Sequence, residues 1–349
     1  MSGQAMRTVV VTQRFFDEDT IAYLNSRGCE VRLAEMPPGK ADGELSEDTL
    51  VRTLADADGW IVGHARVTRQ LLSKLPRLQV IARRGVGYER VDTQAVADLG
   101  KVAAIAVGGN DACVADHALA LMLAVSHRLR ESQMQMNAGS WTILTGADLY
   151  RKTVGIVGLG RIGRGVVQRL KGFEARMLAV TASAEDEWSR ANGVTHVGLD
   201  ELLASSDVVS LHAPLTPGTR MLIDAGALAR MKPTAILVNT ARGGLVDDAA
   251  LLDALAAGRI AGAGLDVFLS ESDPSSMGVT NALVALPNVI ATPHSGASTR
   301  EGLVRTNRIA AKCVVAVLEG RAPPAECVIA DGRHRAEPNP EQPKGPVHV

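Results

Sequence analysis

The sequence predicts an α/β protein of two domains, each built on a parallel sheet, with the second sheet doubly wound. Three observations predict it. Short apolar runs rich in β-branched residues alternate with amphipathic helical segments twice along the chain, over residues 7–107 and again over 153–293. Strands alternating with helices form βαβ units, whose right-handed crossovers give parallel sheets. The chain has 349 residues, too many for one ordinary core and enough for two. Finally, the second series opens on a glycine run, 158–163, placed between a strand and a helix.

In chain order, residues 7–12, 30–35, 59–63, 78–83 and 102–107 read as strands of the first series, with helices at 17–28 and 47–56 between them. Residues 112–139 then carry helical signals without a break as far as Gly139, a length that suits one helix bridging two domains. The second series places six strands at 154–158, 177–181, 208–213, 235–241, 261–268 and 289–293. A last helix runs over about 299–320. The first sheet is not closed by its own segments, so the chain is expected to return to it after residue 298. The expected domains are therefore 6–108 with 299–330, and 109–298. The proline-rich, polar stretch 331–349 reads as a disordered tail.

Composition excludes several classes. A net charge of −1 lacks the basic excess of a nucleic-acid binder. The first residues lack a basic segment followed by an apolar run, and the apolar stretch 118–125 is far shorter than the roughly 20 residues of a membrane span. The chain reads as cytoplasmic, without membrane or nucleic-acid partners. Cys29, Cys113, Cys313 and Cys327 are scattered, with no metal-ligand spacing, and read as free thiols.

Gly158, Gly160 and Gly163 form G-x-G-x-x-G between an apolar strand and a helix. In that setting the first glycine makes the turn, the second admits a pyrophosphate to the backbone and the third packs helix on strand. The helix N-terminus adds amide donors, and Arg161, beside Ile162, is placed for a contact at the rim. A ribose-gripping acid is expected about 20 residues further on. Residues 177–183 read MLAVTAS, and the strand ends in Thr181. The remaining strands end in HAPLTPGT (212–219), NTARGG (239–244), LDVF (265–268) and TPHSGAS (292–298), where ligands of open α/β sheets bind. Among these, Arg242 suits a carboxylate, to which a guanidinium forks with two parallel hydrogen bonds. His294 suits proton transfer near neutrality, and Glu271 is a carboxylate that could orient it. Spacing alone leaves open whether the three converge.

The run LVNTARGGLVDDAALLDALAAGRIAGAGLDVF, together with GLGRIGRGV and ATPHSGAST, resembles the D-isomer-specific 2-hydroxyacid dehydrogenases, among them phosphoglycerate, glyoxylate/hydroxypyruvate and D-lactate dehydrogenases. The resemblance covers roughly residues 55–320. It implies a flavodoxin-like substrate domain built from both chain ends, an inserted NAD(P)-binding Rossmann domain and a homodimer joined through the latter. It makes Arg242, Glu271 and His294 the catalytic residues, with Arg242 on the substrate carboxylate and a Glu271–His294 proton relay. It assigns Asp266 to the nicotinamide carboxamide, and Thr240 and Ala241 to positions beside the ring. His212, Ala213 and Pro214 join the cofactor residues. RRGVGYERVD (83–92) is similar to the family's substrate loop, so Val86 and Gly87 amides would bind the carboxylate. Arg84 stands where a small residue is usual, and either meets a second anionic group of the substrate or faces solvent. ACVADH (112–117) matches the family's SVAEH.

The implied activity is hydride transfer between NAD(P) and a small D-2-hydroxy acid or 2-oxo acid. Phosphoglycerate-specific members usually carry Arg where this chain has Gly63, so glyoxylate, hydroxypyruvate or pyruvate are favoured. Formate dehydrogenases share the fold but pair their histidine with Gln, against which Glu271 counts. The alternative is an NAD(H)-sensing corepressor-like binding protein of the same fold. NAD is expected, with NADP tolerated because Thr181 cannot repel a 2′-phosphate, although Glu185 and Asp186 could restore a negative field if their loop folds back.

Overall fold

The computed structural model describes residues 6–36, 41–182 and 186–333. Thirteen strands occur among them: β1 (Arg7–Val11), β2 (Cys29–Leu33), β3 (Gly59–Val62), β4 (Val80–Arg83), β5 (Val102–Ile105), β6 (Thr153–Val157), β7 (Arg176–Val180), β8 (Val194–His196), β9 (Val208–Leu211), β10 (Ile236–Asn239), β11 (Gly262–Leu265), β12 (Val289–Ala291) and β13 (Val328–Asp331). The described residues divide into two compact units, one from residues up to 110 and from 300 onward, the other from 111 to 299.

The first unit carries a six-stranded sheet in the order β2-β1-β3-β4-β5-β13. Its first five strands are parallel and follow the doubly wound 2-1-3-4-5 order, while β13 lies antiparallel on β5. Both faces are covered, so the strands read as unbroken apolar runs. Val9 and Val11 face a cluster containing Ala310, Val314 and Val317 of the helix Arg300–Leu318. Val10 and Trp60 face the opposite cluster, with Leu50, Leu54 and Leu71. Gly59 admits that long helix closely, since a Cβ there would lie 2.8 Å from Val314 Cγ1. Asp17, Ser46, Thr68 and Asp92 cap successive helices by accepting first-turn amides. β13, absent from the sequence reading, takes the chain to Asp331, so the expected tail starts too early at that residue. The rest of that expectation, from residue 334, lies outside the described residues.

The second unit carries seven parallel strands in the order β12-β11-β10-β9-β6-β7-β8. This is the doubly wound Rossmann sheet, with its switch point between β6 and β9. The strand beyond the six expected is β8, three residues with only Val194 buried, too short to leave an apolar run. The single helix expected over 112–139 is two, Asp111–Ser126 and Leu129–Asn137, bent by 58°. Arg128 makes the break with φ 53, and its guanidinium holds Glu131 through Nε at 2.8 Å and Nη2 at 2.6 Å. Both helices belong to this unit. The first packs on β11, where a Cβ at Gly264 would stand 2.8 Å from Leu121 Cβ. No single helix among the described residues is long and apolar enough to cross a membrane.

Candidate active site

The glycine loop lies at the sheet's switch point. Gly158 adopts φ +100, and a Cβ there would lie 2.6 Å from Ala213 N and from His212 C, so the loop runs directly against the exit of β9. At Gly163 a Cβ would meet Gly158 O at 2.2 Å, which fixes helix against loop. Gly160 differs. It is the N-cap of the helix Arg161–Leu170, supplies no side-chain cap, and has nothing within 4 Å of where a Cβ would stand. The first-turn amides around Ile162 thus border open space, as phosphate binding requires.

Two polar atoms nearby are buried without a partner: His212 Nδ1 and Thr240 Oγ1. His212 Nε2 pairs with Ser210 Oγ at 2.9 Å, and burial pushes its pKa down to about 4, so the ring is neutral. Buried polar atoms without partners are costly in a finished core and natural in a site awaiting a polar ligand. Together with the open Gly160 they fit a dinucleotide, and Ala213, Pro214 and Ala241 lie on the same two strand exits.

Arg161 is not free at the rim, because Nε donates to Asp111 Oδ2 at 2.7 Å. Thr181 is half-buried just beyond β7. Asp186 does turn back, but its charge is matched. It pairs with Arg164 of the helix after the glycine loop, and Ser189 amide and hydroxyl help hold its carboxyl down to about 2. Arg164 also lies over the Trp188 ring, 4.6 Å from its centroid. Glu185 lies outside the described residues.

His294 and Glu271 come together. His294 Nδ1 lies 2.6 Å from Glu271 Oε2. Burial raises the Glu271 carboxyl, but the bond and charge of His294 and the Phe268 amide outweigh it and hold the group below its usual range. An ionised carboxylate only accepts, so Nδ1 carries the hydrogen and Nε2 is left to exchange a proton. Both side chains stay accessible, at 44% and 41% exposure. Glu271 Oε1 accepts from Phe268 N at 2.9 Å, closing the turn that carries it. His294 sits at φ 51, a conformation rare for a residue with a Cβ and common where strain serves a site.

Sequence reasoning missed what holds these groups. Asp266, expected at the nicotinamide, is buried and binds the 292–296 loop. Oδ1 accepts from Thr292 Oγ1 at 2.6 Å and Ser295 N at 2.8 Å, and Oδ2 from Gly296 N at 2.9 Å. His117 Nε2 lies 2.9 Å from Thr292 Oγ1 in the same network. Burial raises the Asp266 carboxyl, and these bonds more than offset it, leaving it lowered. Arg242, half-buried, donates from Nη1 to Ala241 O at 2.7 Å. Its backbone is clasped by buried Asn239, whose Nδ2 donates to Arg242 O at 2.9 Å and whose Oδ1 accepts from Ala241 N at 3.0 Å. Asp248 Oδ2 accepts from Leu269 N at 3.0 Å, and burial pushes its carboxyl up to about 6. Gly243 packs the Arg242 turn onto the Glu271 turn, where a Cβ would lie 2.1 Å from Phe268 C. Asn239 works within its own motif NTARGG, whereas Asp248 of the VDD run finds its partner Leu269 21 positions away.

The substrate-loop residues belong to the first unit. Gly87 is buried, Val86 half-buried, and Arg84 half-buried with Nη1 donating to Arg14 O at 3.0 Å. Arg84 therefore does not simply face solvent.

Comparison with known proteins gives the family of the chain. The family model for "D-isomer specific 2-hydroxyacid dehydrogenase, NAD binding domain" matches residues 119–296. A D-3-phosphoglycerate dehydrogenase of Archaeoglobus fulgidus is 37% identical over 306 residues, covering 87% of this chain. This chain spans only 56% of that relative's length. A glyoxylate reductase of Korarchaeum cryptofilum is 35% identical over 297 residues, 83% of this chain and 88% of that one. The crystal structure of D-lactate dehydrogenase with NAD+ from Lactobacillus jensenii superposes with a TM-score of 0.78 at 28% identity, covering 93% and 100% of the two chains.

Proposed function

The chain belongs to the D-isomer specific 2-hydroxyacid dehydrogenase family, and from that premise we propose that it interconverts a small 2-oxo acid and its D-2-hydroxy acid with NAD. The observation that carries the reading is the 2.6 Å contact between His294 Nδ1 and Glu271 Oε2. A bound nicotinamide supplies or accepts the hydride. His294 Nε2 gives a proton to the oxygen that becomes the hydroxyl, or takes it back in oxidation. Glu271 fixes the tautomer and stabilises the imidazolium. Arg242 clamps the carboxylate. Asp266 orients the nicotinamide carboxamide and the 292–296 loop together.

A panel of 2-oxo acids, including glyoxylate, hydroxypyruvate and pyruvate, assayed with NADH and NADPH tests the reading. Turnover of at least one acid supports it. Tight NADH binding with no acid reduced would replace it by a dinucleotide sensor.

Cofactor choice is relaxed in this reading. Thr181 offers no charge against a 2′-phosphate, and Asp186 is neutralised by Arg164. The expected ratio of kcat/KM for NADH over NADPH is below about a thousandfold, some 4 kcal/mol. Thr181→Asp should widen it by at least about tenfold. A wild-type ratio above the thousandfold level would mean that another acid guards the ribose.

The partner is a second copy, joined through the NAD-binding unit. Residues 140–149 carry no helix or strand and expose Trp141 at 83% and Ile143 at 92%, with exposed Leu129, Met134 and Met136 on the preceding helix. So much apolar surface on one segment is the mark of an interface. The double variant Trp141→Ser, Ile143→Ser should sediment as a monomer where the wild type sediments as a dimer. A monomeric wild type would remove this assignment.

A further inference from the structure

The exit of β7 lacks the expected acid, and an ion pair stands beside it. Gly158 N donates at 2.8 Å to the carbonyl of Val180, the last residue of β7, so the glycine loop and the strand end touch. Thr181 comes next, half-buried and without charge. In a Rossmann unit this strand end faces the adenosine ribose. An acid there takes the 2′-hydroxyl of NAD, whereas a nearby arginine receives the 2′-phosphate of NADP.

Arg164 is an arginine at that place. Its Nε donates to the carbonyl of Leu159, between Gly158 and Gly160, at 3.3 Å. Its Nη2 donates to Asp186 Oδ2, five residues beyond Thr181. The guanidinium therefore spans from the glycine loop to the chain that leaves β7. Its face lies on the Trp188 ring, 4.6 Å from the centroid, and Trp188 is packed in turn against the core that holds Ile156 and Val166. Stacking fixes the plane of a guanidinium without using its donors. Among the described residues only two of its five donors are spent, and the side chain stays 38% exposed.

Asp186 fills the anion position at that fork. Its Oδ2 accepts from Arg164, while Oδ1 caps the next helix by accepting from Ser189 N at 2.9 Å and Ser189 Oγ at 2.8 Å. These bonds hold the carboxyl down to about 2, so it is ionised at neutral pH. The pair is open to solvent on both sides, and an exposed ion pair is weak. A phosphate monoester carries more charge than a carboxylate and offers three strong acceptor oxygens, so it outcompetes the acid for the same fork.

We propose that Arg164 receives the 2′-phosphate of NADPH and that Asp186 masks it, so that NADPH exchanges an arginine–carboxylate pair for an arginine–phosphate pair. With NADH, which has only a hydroxyl at that position, the ion pair stays closed. The proposal rests on the dinucleotide reading of the glycine loop and names the residues behind the relaxed cofactor choice.

The test is binding, read by fluorescence titration of NADH and NADPH at low ionic strength on wild type, Arg164→Met and Asp186→Asn. Arg164→Met keeps an apolar stem against Trp188 and loses the fork. Its Kd for NADPH should rise by about tenfold, the lower end for a charge-assisted bond, while that for NADH moves by less than about twofold. Asp186→Asn separates mask from cap, because an amide oxygen still accepts from Ser189 and an amide nitrogen cannot accept from Arg164. It should tighten NADPH by at least about threefold and leave NADH nearly unchanged. A ratio of the two Kd values that is unchanged in either variant overturns the proposal. Melting curves with adenosine 2′,5′-bisphosphate and with AMP, which differ only in the 2′-phosphate, make a second readout. Should neither reduced cofactor bind, the dinucleotide reading itself fails, and this pair decides the Arg164 site. A rise in wild type with the bisphosphate alone, lost in Arg164→Met, supports it, and any other pattern overturns it.

Discussion

Replacing His294 with Gln is expected to lower kcat by about 10²–10⁴-fold, the usual worth of a general acid–base group, while NADH affinity stays nearly intact. Gln keeps a polar end of similar reach beside Glu271 Oε2 but has no proton to exchange near neutral pH. The affinity should survive because the proposed dinucleotide cradle draws on other parts, namely Gly158, Gly160, His212 and Thr240. The pH dependence has a definite sign. The Glu271 carboxyl is held below its usual range, so it is ionised at neutral pH and keeps the Nδ1 hydrogen in place. That contribution is present above the ordinary carboxylate pKa and is lost as pH falls through the lowered one. Glu271→Gln still accepts from Nδ1 but cannot stabilise an imidazolium, and should lower kcat with NADH affinity little changed. Steady-state rates from pH 5 to 9, with fluorescence titration of NADH, measure both. A His294→Gln variant with wild-type turnover would remove the proton relay from the proposal.

How much of this was legible in the sequence varies with the distance over which each feature is decided. The two α/β series and the Rossmann sheet were legible because parallel strands buried on both faces leave continuous apolar runs, such as TVGIV and VVSL. β8 and β13 were not. β8, VTH, is too short to leave an apolar run, and β13, VIAD, is short and only half-buried; each is recruited by the edge strand beside it. The break at Arg128 carried no glycine or proline. It rests on a left-handed arginine that no local pattern announces.

At the site, the residue types could be read but their convergence could not. Glu271 and His294 are 23 positions apart, and their contact depends on turns closed by Phe268 N and Asp266 O. The resemblance named Asp266 for the cofactor, whereas its work as anchor of the His294 loop required four partners to be seen at once. The arginine missing at 63 and the large residue present at 84 looked like unrelated exceptions until the strand order made them neighbours.

Gly243→Ala is the second variant with a large expected effect, and its reasoning is steric. The added methyl carbon would lie 2.1 Å from Phe268 C, 2.3 Å from its carbonyl oxygen and 2.5 Å from Leu269 N. These are backbone atoms, so no rotamer change relieves the clash, and one of two turns must move. The Arg242 turn is clasped by Asn239, and the Glu271 turn is hooked by Asp248 through Leu269 N at 3.0 Å. Whichever moves, the guanidinium and the relay lose their mutual placement. Overpacking of this kind costs about 1–3 kcal/mol, which a chain with two large cores tolerates, so the variant should fold with a lowered melting temperature. Misplacement by about 1 Å can cost on the order of 10²-fold in rate, and that loss should appear in kcat with NADH affinity little changed. Gly160→Ala supplies the opposite signature. Nothing lies within 4 Å of its added carbon, so stability should hold, while the methyl intrudes on the space assigned to the pyrophosphate and NADH affinity should fall. Melting curves, NADH titration and kcat on the two variants separate the effects. If Gly243→Ala loses cofactor affinity and Gly160→Ala loses only turnover, the division between cradle and relay is wrong.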